Sequence, residues 1–502
     1  MDAAVAKKSA LPAYPKRRRL YPRLALAGAV VVLPAVTAAL LSRSFHAGIA
    51  FVLFLNMAVF ALARPLELLI GFLVQLPLIP RWGQMLGVRV PDLMAPAAVL
   101  LFAGSLIRWL TDKEREPFKP VWFDVIAAVF LLLGRFEIYQ GPVDDDLAKA
   151  YTRTILIPGL FYLSVRLLML DRRRMAQMIR WQLAAGMLLA VIVIIEAALH
   201  RSFLYRQVSD VFQAEGLYQP GGAFGRPFLA GAYLALLLPL YLYGAMGGFG
   251  ERSRGWFKVG AGLALVSIGL CMERGVWLAA AVGLFVLFLY RPLRRPAGMM
   301  LAVCAVLAGT GILLVSSQSW FQNRVAEQAN VHDRLRFIQA SFGILRSREW
   351  NWLTGIGEGG YMQIAYKYMP PRSYYEVDRR QEADKNRAQH NDFLRTLVEH
   401  GVPGASLLAL AVMLVIGRGI RLARQSGRGE GYYDGALSIA MLAAACTVMV
   451  NGLTHNTLIE SQIMSGFWLI CGLLYSDRAM QKDTLSMLSM GQGRDDPVAR
   501  SH

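Results

Sequence analysis

The sequence predicts an all-α, polytopic membrane helix bundle of about 12–14 transmembrane helices, interrupted by one large helical extracytoplasmic loop. Three observations lead there. Of 502 residues, 55% are hydrophobic and only 17% charged, whereas a soluble protein of this length carries roughly a quarter charged residues. The apolar residues come in blocks near the length of about 20 that crosses a bilayer core about 30 Å thick. Lys and Arg fall mainly in alternate connections, as the positive-inside rule requires.

The apolar segments run at 24–41, 47–63, 66–79, 93–110, 121–134, 154–170, 179–199, 228–247, 257–272, 275–290 and 297–317, then at 402–417, 435–453 and 460–475. The first follows a basic start, as a signal peptide would, but its apolar run exceeds the 7–15 residues of an h-region, so it is expected to remain as a helix. With a cytoplasmic N-terminus, the inside loops hold roughly 30 Lys and Arg against roughly 10 in the short outside loops. Asp144–Asp146 then falls outside, where a solvated acidic loop or a cation site both fit. The resulting division is a basic cytoplasmic N-terminus at 1–23, helices at 24–317, a large outer loop at 318–401, helices again at 402–475 and a cytoplasmic tail at 476–502.

Composition narrows the function classes. The formal charge of +19 has no folded basic domain to carry it, so it reads as membrane orientation and not as nucleic-acid binding. Cys271, Cys304, Cys446 and Cys471 all lie within or beside apolar segments without pairing motifs, as small hydrophobes. No His, Cys and carboxylate spacing suggests a metal, and no cofactor is expected. No fixed-period repeat or matched pair of interrupted helices points to a transporter.

The loop is too long for a connector and too apolar for a linker. Phe337, Ile338, Phe342, Ile344 and Leu345 interleave with Arg334, Arg336, Arg346 and Arg348, predicting an amphipathic helix near the membrane surface. Gly355-Ile-Gly-Glu-Gly-Gly360 reads as a turn, since no strand precedes it to make a nucleotide loop. A helix starts after His390, capped by Asn391 or Asp392, and ends at Gly401, with Pro403 opening the next membrane helix.

Several ionisable residues have two readings each. Arg64 and Glu67 flank Pro65 and predict a local ion pair. Arg166, near a helix end, can snorkel. Arg274, in Met272-Glu-Arg-Gly275, either pairs with Glu273 or serves a substrate at membrane depth. Arg226 follows Gly221-Gly-Ala-Phe-Gly225 and either anchors its helix or points into an interfacial cavity. His390 is a surface residue or a proton acceptor, the adjoining helix N-terminus disfavouring imidazolium. His400 suits a helix C-terminus, and His455 is left open.

Together these motifs resemble the O-antigen ligase and Wzy-type polymerase superfamily. Gly222-Ala-Phe-Gly-Arg-Pro-Phe-Leu-Ala-Gly-Ala-Tyr-Leu234 is similar to its membrane helix, and Glu273-Arg-Gly-Val-Trp277 to its Ser-Arg-Gly-type motif, with Glu in place of the usual small residue. Leu353-Thr-Gly-Ile-Gly-Glu-Gly-Gly-Tyr361 and His390-Asn-Asp-Phe-Leu394 resemble its large periplasmic loop, over a similarity spanning roughly 216–475. The resemblance implies an inverting glycosyltransferase of the inner membrane that needs neither metal nor nucleotide. Its donor would be an undecaprenyl-pyrophosphate-linked glycan. His390 would take the acceptor proton, and Arg226 and Arg274 would hold the pyrophosphate. Membrane lipids and a chain-length regulator are the further partners implied. Polymerase and ligase differ only in acceptor, and a polysaccharide transporter or flippase is the alternative from another class.

Overall fold

The computed structural model describes residues 45–78, 94–112, 118, 120–139, 155–168, 170, 172–202, 218–315, 328–370, 390–427, 435–457 and 460–476. The expected first helix, Asp144–Asp146 and most of the C-terminal tail lie outside these residues. Among the described residues the fold is all-α, with no strand.

The N-terminal half supplies α1 (Phe45–Ala63), α2 (Pro65–Leu78), α3 (Met94–Thr111), α4 (Trp122–Tyr139), α5 (Ile157–Leu168) and α6 (Arg172–Leu199). The second half supplies α7 (Pro227–Ala245), α8 (Arg254–Leu270), α9 (Arg274–Leu289), α10 (Arg294–Val315), α11 (Gln328–Ser347), α12 (Asp392–Gly427), α13 (Gly435–Gly452) and α14 (Ser461–Tyr475). Every apolar segment expected after 24–41 coincides with one of these helices. Four of them, α6, α7, α12 and α13, are long and apolar enough to cross a membrane, and α9 with the start of α10 makes a fifth span, bent by 117°. The remaining apolar helices α1–α5 and α14 have stretches of 10–17 residues. By length and composition, the described residues thus hold four candidate full-length spans, or five if the bent pair is one, within an all-α membrane protein.

The bundle is organised around α7, which packs on α6, α8, α9 and α13. A helix that is apolar on all sides belongs inside a bundle, and α7 is buried over almost its whole length. Pro227 starts it, where a missing N–H costs nothing. Small residues on its neighbours admit its bulky ones: Gly186 of α6 lies against Leu237 and the Tyr241 hydroxyl, and Gly260 of α8 against the Tyr241 ring.

Two local expectations change. Arg166 does not snorkel. It is buried and grips Asp124 with two bonds, Nε to Oδ1 and Nη2 to Oδ2, both 2.9 Å. Tyr162 also donates to Asp124 Oδ1 at 2.5 Å, and Arg166 reaches the Tyr475 carbonyl at the end of α14. The partner comes from 42 residues away, which local spacing cannot show. Nor is the Arg64–Glu67 pair formed among the described residues, because Arg64 lies between α1 and α2, where helical spacing does not hold.

The loop builds a small core of its own from Ile344, Leu345, Tyr361, Ala365 and Val398. Phe337, Ile344 and Leu345 of α11 are buried, whereas Ile338 and Phe342 stay exposed, so the expected apolar face is split in two. Within α12, Gly401 (φ 64°, ψ −170°) breaks the helix at the predicted end. This divides it into a loop helix, 392–400, and a membrane helix beginning beside Pro403.

Candidate functional site

Three stretches of chain converge on the connection between α13 and α14. Arg226 is the extended residue just before α7, held by the turn that precedes it. Glu196, wholly buried near the end of α6, accepts the Gly222 N–H at 2.7 Å and Ser202 Oγ at 2.8 Å, fixing that turn. Arg226 projects from it with its side chain 46% exposed and meets Glu460, at the start of α14, at 3.1 Å.

Arg274 is exposed in the first turn of α9. The chain reaches it through Met272, a non-glycine residue at φ 54°, a conformation that costs roughly 1–2 kcal/mol for L-residues. Strained residues of this kind concentrate at functional sites. Glu273 turns to His455, whose Nε2 lies 3.3 Å from Oε2. A carboxylate only accepts, so the imidazole proton of this contact sits on Nε2. Nδ1 of the same ring is 3.0 Å from Thr454 Oγ1, and the ring stacks on Phe228 at 5.6 Å. Phe228 is two residues from Arg226 and Glu273 is next to Arg274, so His455 joins the two arginine-bearing helix starts. Any Cβ on Gly275 would run into Thr454 and His455, which explains the glycine after Arg274.

The third stretch carries His390. Asn391 caps the loop helix, its Oδ1 accepting the Leu394 N–H at 3.0 Å, so of the two expected caps it is Asn391 that serves. Asp392 takes a bond from Thr457 Oγ1 at 3.2 Å instead. That bond ties the start of the His390 helix to the connection that also carries His455 and Glu460. His390 is exposed, with its ring 5.4 Å from that of Phe337.

A buried network supports this helix from behind. Arg395 Nη2 donates to Glu358 Oε1 at 2.6 Å and contacts Glu399 Oε2 at 2.7 Å, while His400 Nε2 lies 2.8 Å from Glu358 Oε2. The glycine turn closes on the helix end: Ile356 N–H donates to the Val398 carbonyl at 3.1 Å and Gly357 N–H to that of Glu399 at 2.9 Å. Burial pushes the Tyr361 hydroxyl well above its usual range, so it remains a donor, bonded to the Phe337 carbonyl at 3.3 Å. Glu358, Glu399 and His400 bring ligand atoms within 4.8 Å of one another, a grouping that sequence spacing missed. Arg395 already contacts both carboxylates and His400 takes the second oxygen of Glu358, so the donor set fits an ion-pair network better than a cation.

The sequence reading singled out Arg226, Arg274 and His390 as candidates. It left His455 open and missed Glu196, Glu358, Arg395, Glu399 and Glu460 as parts of the assembly. The Arg395–Glu399 pair had an i,i+4 signal on the loop helix. The other partners come from distant segments and had none.

The fold and site define a class: a polytopic all-α membrane protein with two exposed arginines and a histidine gathered at one end of its bundle. Residues 259–409 match the family model described as O-Antigen ligase. This stretch is thus similar to the O-antigen ligase family, a group of glycosyltransferase-like enzymes acting on lipid-linked glycans. The matched stretch includes Arg274, His390 and the whole buried network, while Arg226, His455 and Glu460 lie outside it. No curated protein matches the chain.

Proposed function

We propose that this protein is an inverting, metal-independent glycosyltransferase that polymerises undecaprenyl-pyrophosphate-linked repeat units at the periplasmic face of the inner membrane. The observation that carries the proposal is the convergence of the Arg226, Arg274 and His390 segments on residues 454–460. His390 takes the proton of an acceptor hydroxyl, whose oxygen attacks the anomeric carbon of the donor. The new glycosidic C–O bond forms as the bond to the pyrophosphate oxygen breaks, inverting the centre. The electron pair leaves on the lipid pyrophosphate, where Arg226 and Arg274 stabilise it. Guanidinium suits this task because it keeps its charge and binds phosphate with two parallel bonds.

Arg226 is half-exposed and its pair with Glu460 is of the surface kind, contributing at most about 1 kcal/mol. A pyrophosphate carrying two negative charges displaces one carboxylate readily. Glu273, unlike the small residue usual in the related motif, faces His455, and this contact draws its charge away from Arg274. Periplasmic placement of the site follows from the charge bias of the connections.

The test is a deletion strain analysed for glycan length. Single or short repeat units on the final acceptor support a polymerase. Full-length polymer accumulating on the lipid carrier would assign the chain as a ligase instead.

A further inference from the structure

A second basic cluster lies at the other end of the bundle and plays no part in glycan transfer as derived above. Arg64 between α1 and α2, Arg108 in the last turn of α3 and Arg174 in the first turn of α6 line one cavity of about 220 Å³. Glu67 is its sole carboxylate among the described lining residues, against the two guanidinium groups of Arg64 and Arg108 as well as that of Arg174. Neither Arg64 nor Arg108 makes an ion pair or side-chain hydrogen bond with a described residue.

The position is as informative as the charge. Along α6, 22 residues separate Arg174 from Glu196, which holds the Arg226 turn. At 1.5 Å per residue that is roughly 33 Å, about the thickness of a bilayer core. The cavity thus lies at the opposite membrane surface from the candidate active site. Leu66, Leu168 and Leu170 form its apolar wall. Arginines that only orient a membrane protein need lie no nearer than the right side of the bilayer. Here Arg108 and Arg174 on two helices and Arg64 at the break between α1 and α2 line one space beside apolar surface.

We propose that this cavity binds the phosphate of an anionic phospholipid headgroup, with the leucine wall against the start of its acyl chains. Basic pockets between membrane helices take such headgroups through the same combination of charge and apolar contact. The bound phosphate would join α2, α3 and α6, which otherwise present like charges to each other across the space.

The experiment uses the full chain, purified and stripped of lipid in detergent, with native mass spectrometry for retention and thermal unfolding for stabilisation. Phosphatidylglycerol and cardiolipin should be retained and raise the melting temperature, while phosphatidylcholine should do neither. Arg64→Gln with Arg108→Gln should weaken retention about 30-fold, taking each basic group at its usual surface contribution. Glu67→Gln, which removes the competing carboxylate, should strengthen it, and this variant keeps the test decisive if the double variant does not fold. Full retention in the double variant, or weaker retention in Glu67→Gln, would overturn the site. Equal stabilisation by inorganic phosphate alone would replace the lipid with a free phosphate.

Discussion

Removing the Glu358 side chain should loosen the entire support of His390 without touching any group proposed to meet substrate. Glu358 holds Arg395 through one oxygen at 2.6 Å and His400 through the other at 2.8 Å, with all three side chains under 10% exposed. Deleting one partner of a buried ion pair costs about 3–5 kcal/mol, because the charge left behind has no water to turn to. Arg395 would keep Glu399, at 2.7 Å, which places Glu358→Ala near the lower end. Taken at about 3 kcal/mol, opening of the turn against the helix end becomes roughly a hundredfold more frequent, at 1.4 kcal/mol per tenfold. The structure names the reporters: Ile356 and Gly357 N–H donate across this junction to Val398 and Glu399. Hydrogen exchange followed at these amides should accelerate by about that factor, or reach the unprotected rate if the loop is less stable than this. Glu358→Gln retains both hydrogen-bond positions and should fall between. If Glu358→Ala exchanges at wild-type rates there, the network does not hold the loop helix, and this account of how His390 is positioned is wrong.

Three further outcomes follow from the site. His390→Ala should cut turnover on a synthetic lipid-pyrophosphate donor by about 10²–10⁴-fold with expression unchanged, and Arg226→Lys and Arg274→Lys should both remain strongly impaired, since Lys lacks the planar fork; near wild-type rates in all three would remove the chemistry proposed. Gly275→Ala places a methyl group against Thr454 and His455, and overpacking of this kind costs about 1–3 kcal/mol, so a lowered melting temperature with reduced donor affinity is expected. Chelation by EDTA should leave purified activity intact, because Glu358, Glu399 and His400 are engaged with Arg395 and with one another; loss of activity restored by one divalent metal would reverse that assignment.

Apolar runs located the helices well because, in a membrane, segment length and hydropathy decide the element before any packing does. Gly401 and Asn391 were legible for a similar reason, since helix ends carry local signals. What escaped was pairing at a distance. Arg166 looked like an end-of-helix snorkeller, but Asp124, 42 residues earlier, takes its charge inside the bundle. Glu358 sat in a stretch that read only as a turn, and nothing nearby hinted that it would meet Arg395 and His400. Arg64 and Glu67 erred the other way, because a helical spacing rule was applied across a helix break. The candidate site lies between these cases: its residues were marked by motif, while the residue that joins two of them, His455, was visible only as a lone histidine in a short connection.

The break at Gly401 also bears on how such proteins diversify. The two arginines stand at the starts of bundle helices, whereas His390 stands beside a loop helix that contributes to a small core of its own and meets the bundle through Gly401, Phe393 and the Asp392–Thr457 bond. Insertions, deletions and exchanges between residues 328 and 370 therefore fall on a part of the chain that packs mainly on itself. Under the proposed roles, changes there would remodel the surface around His390 while leaving Arg226 and Arg274 in place.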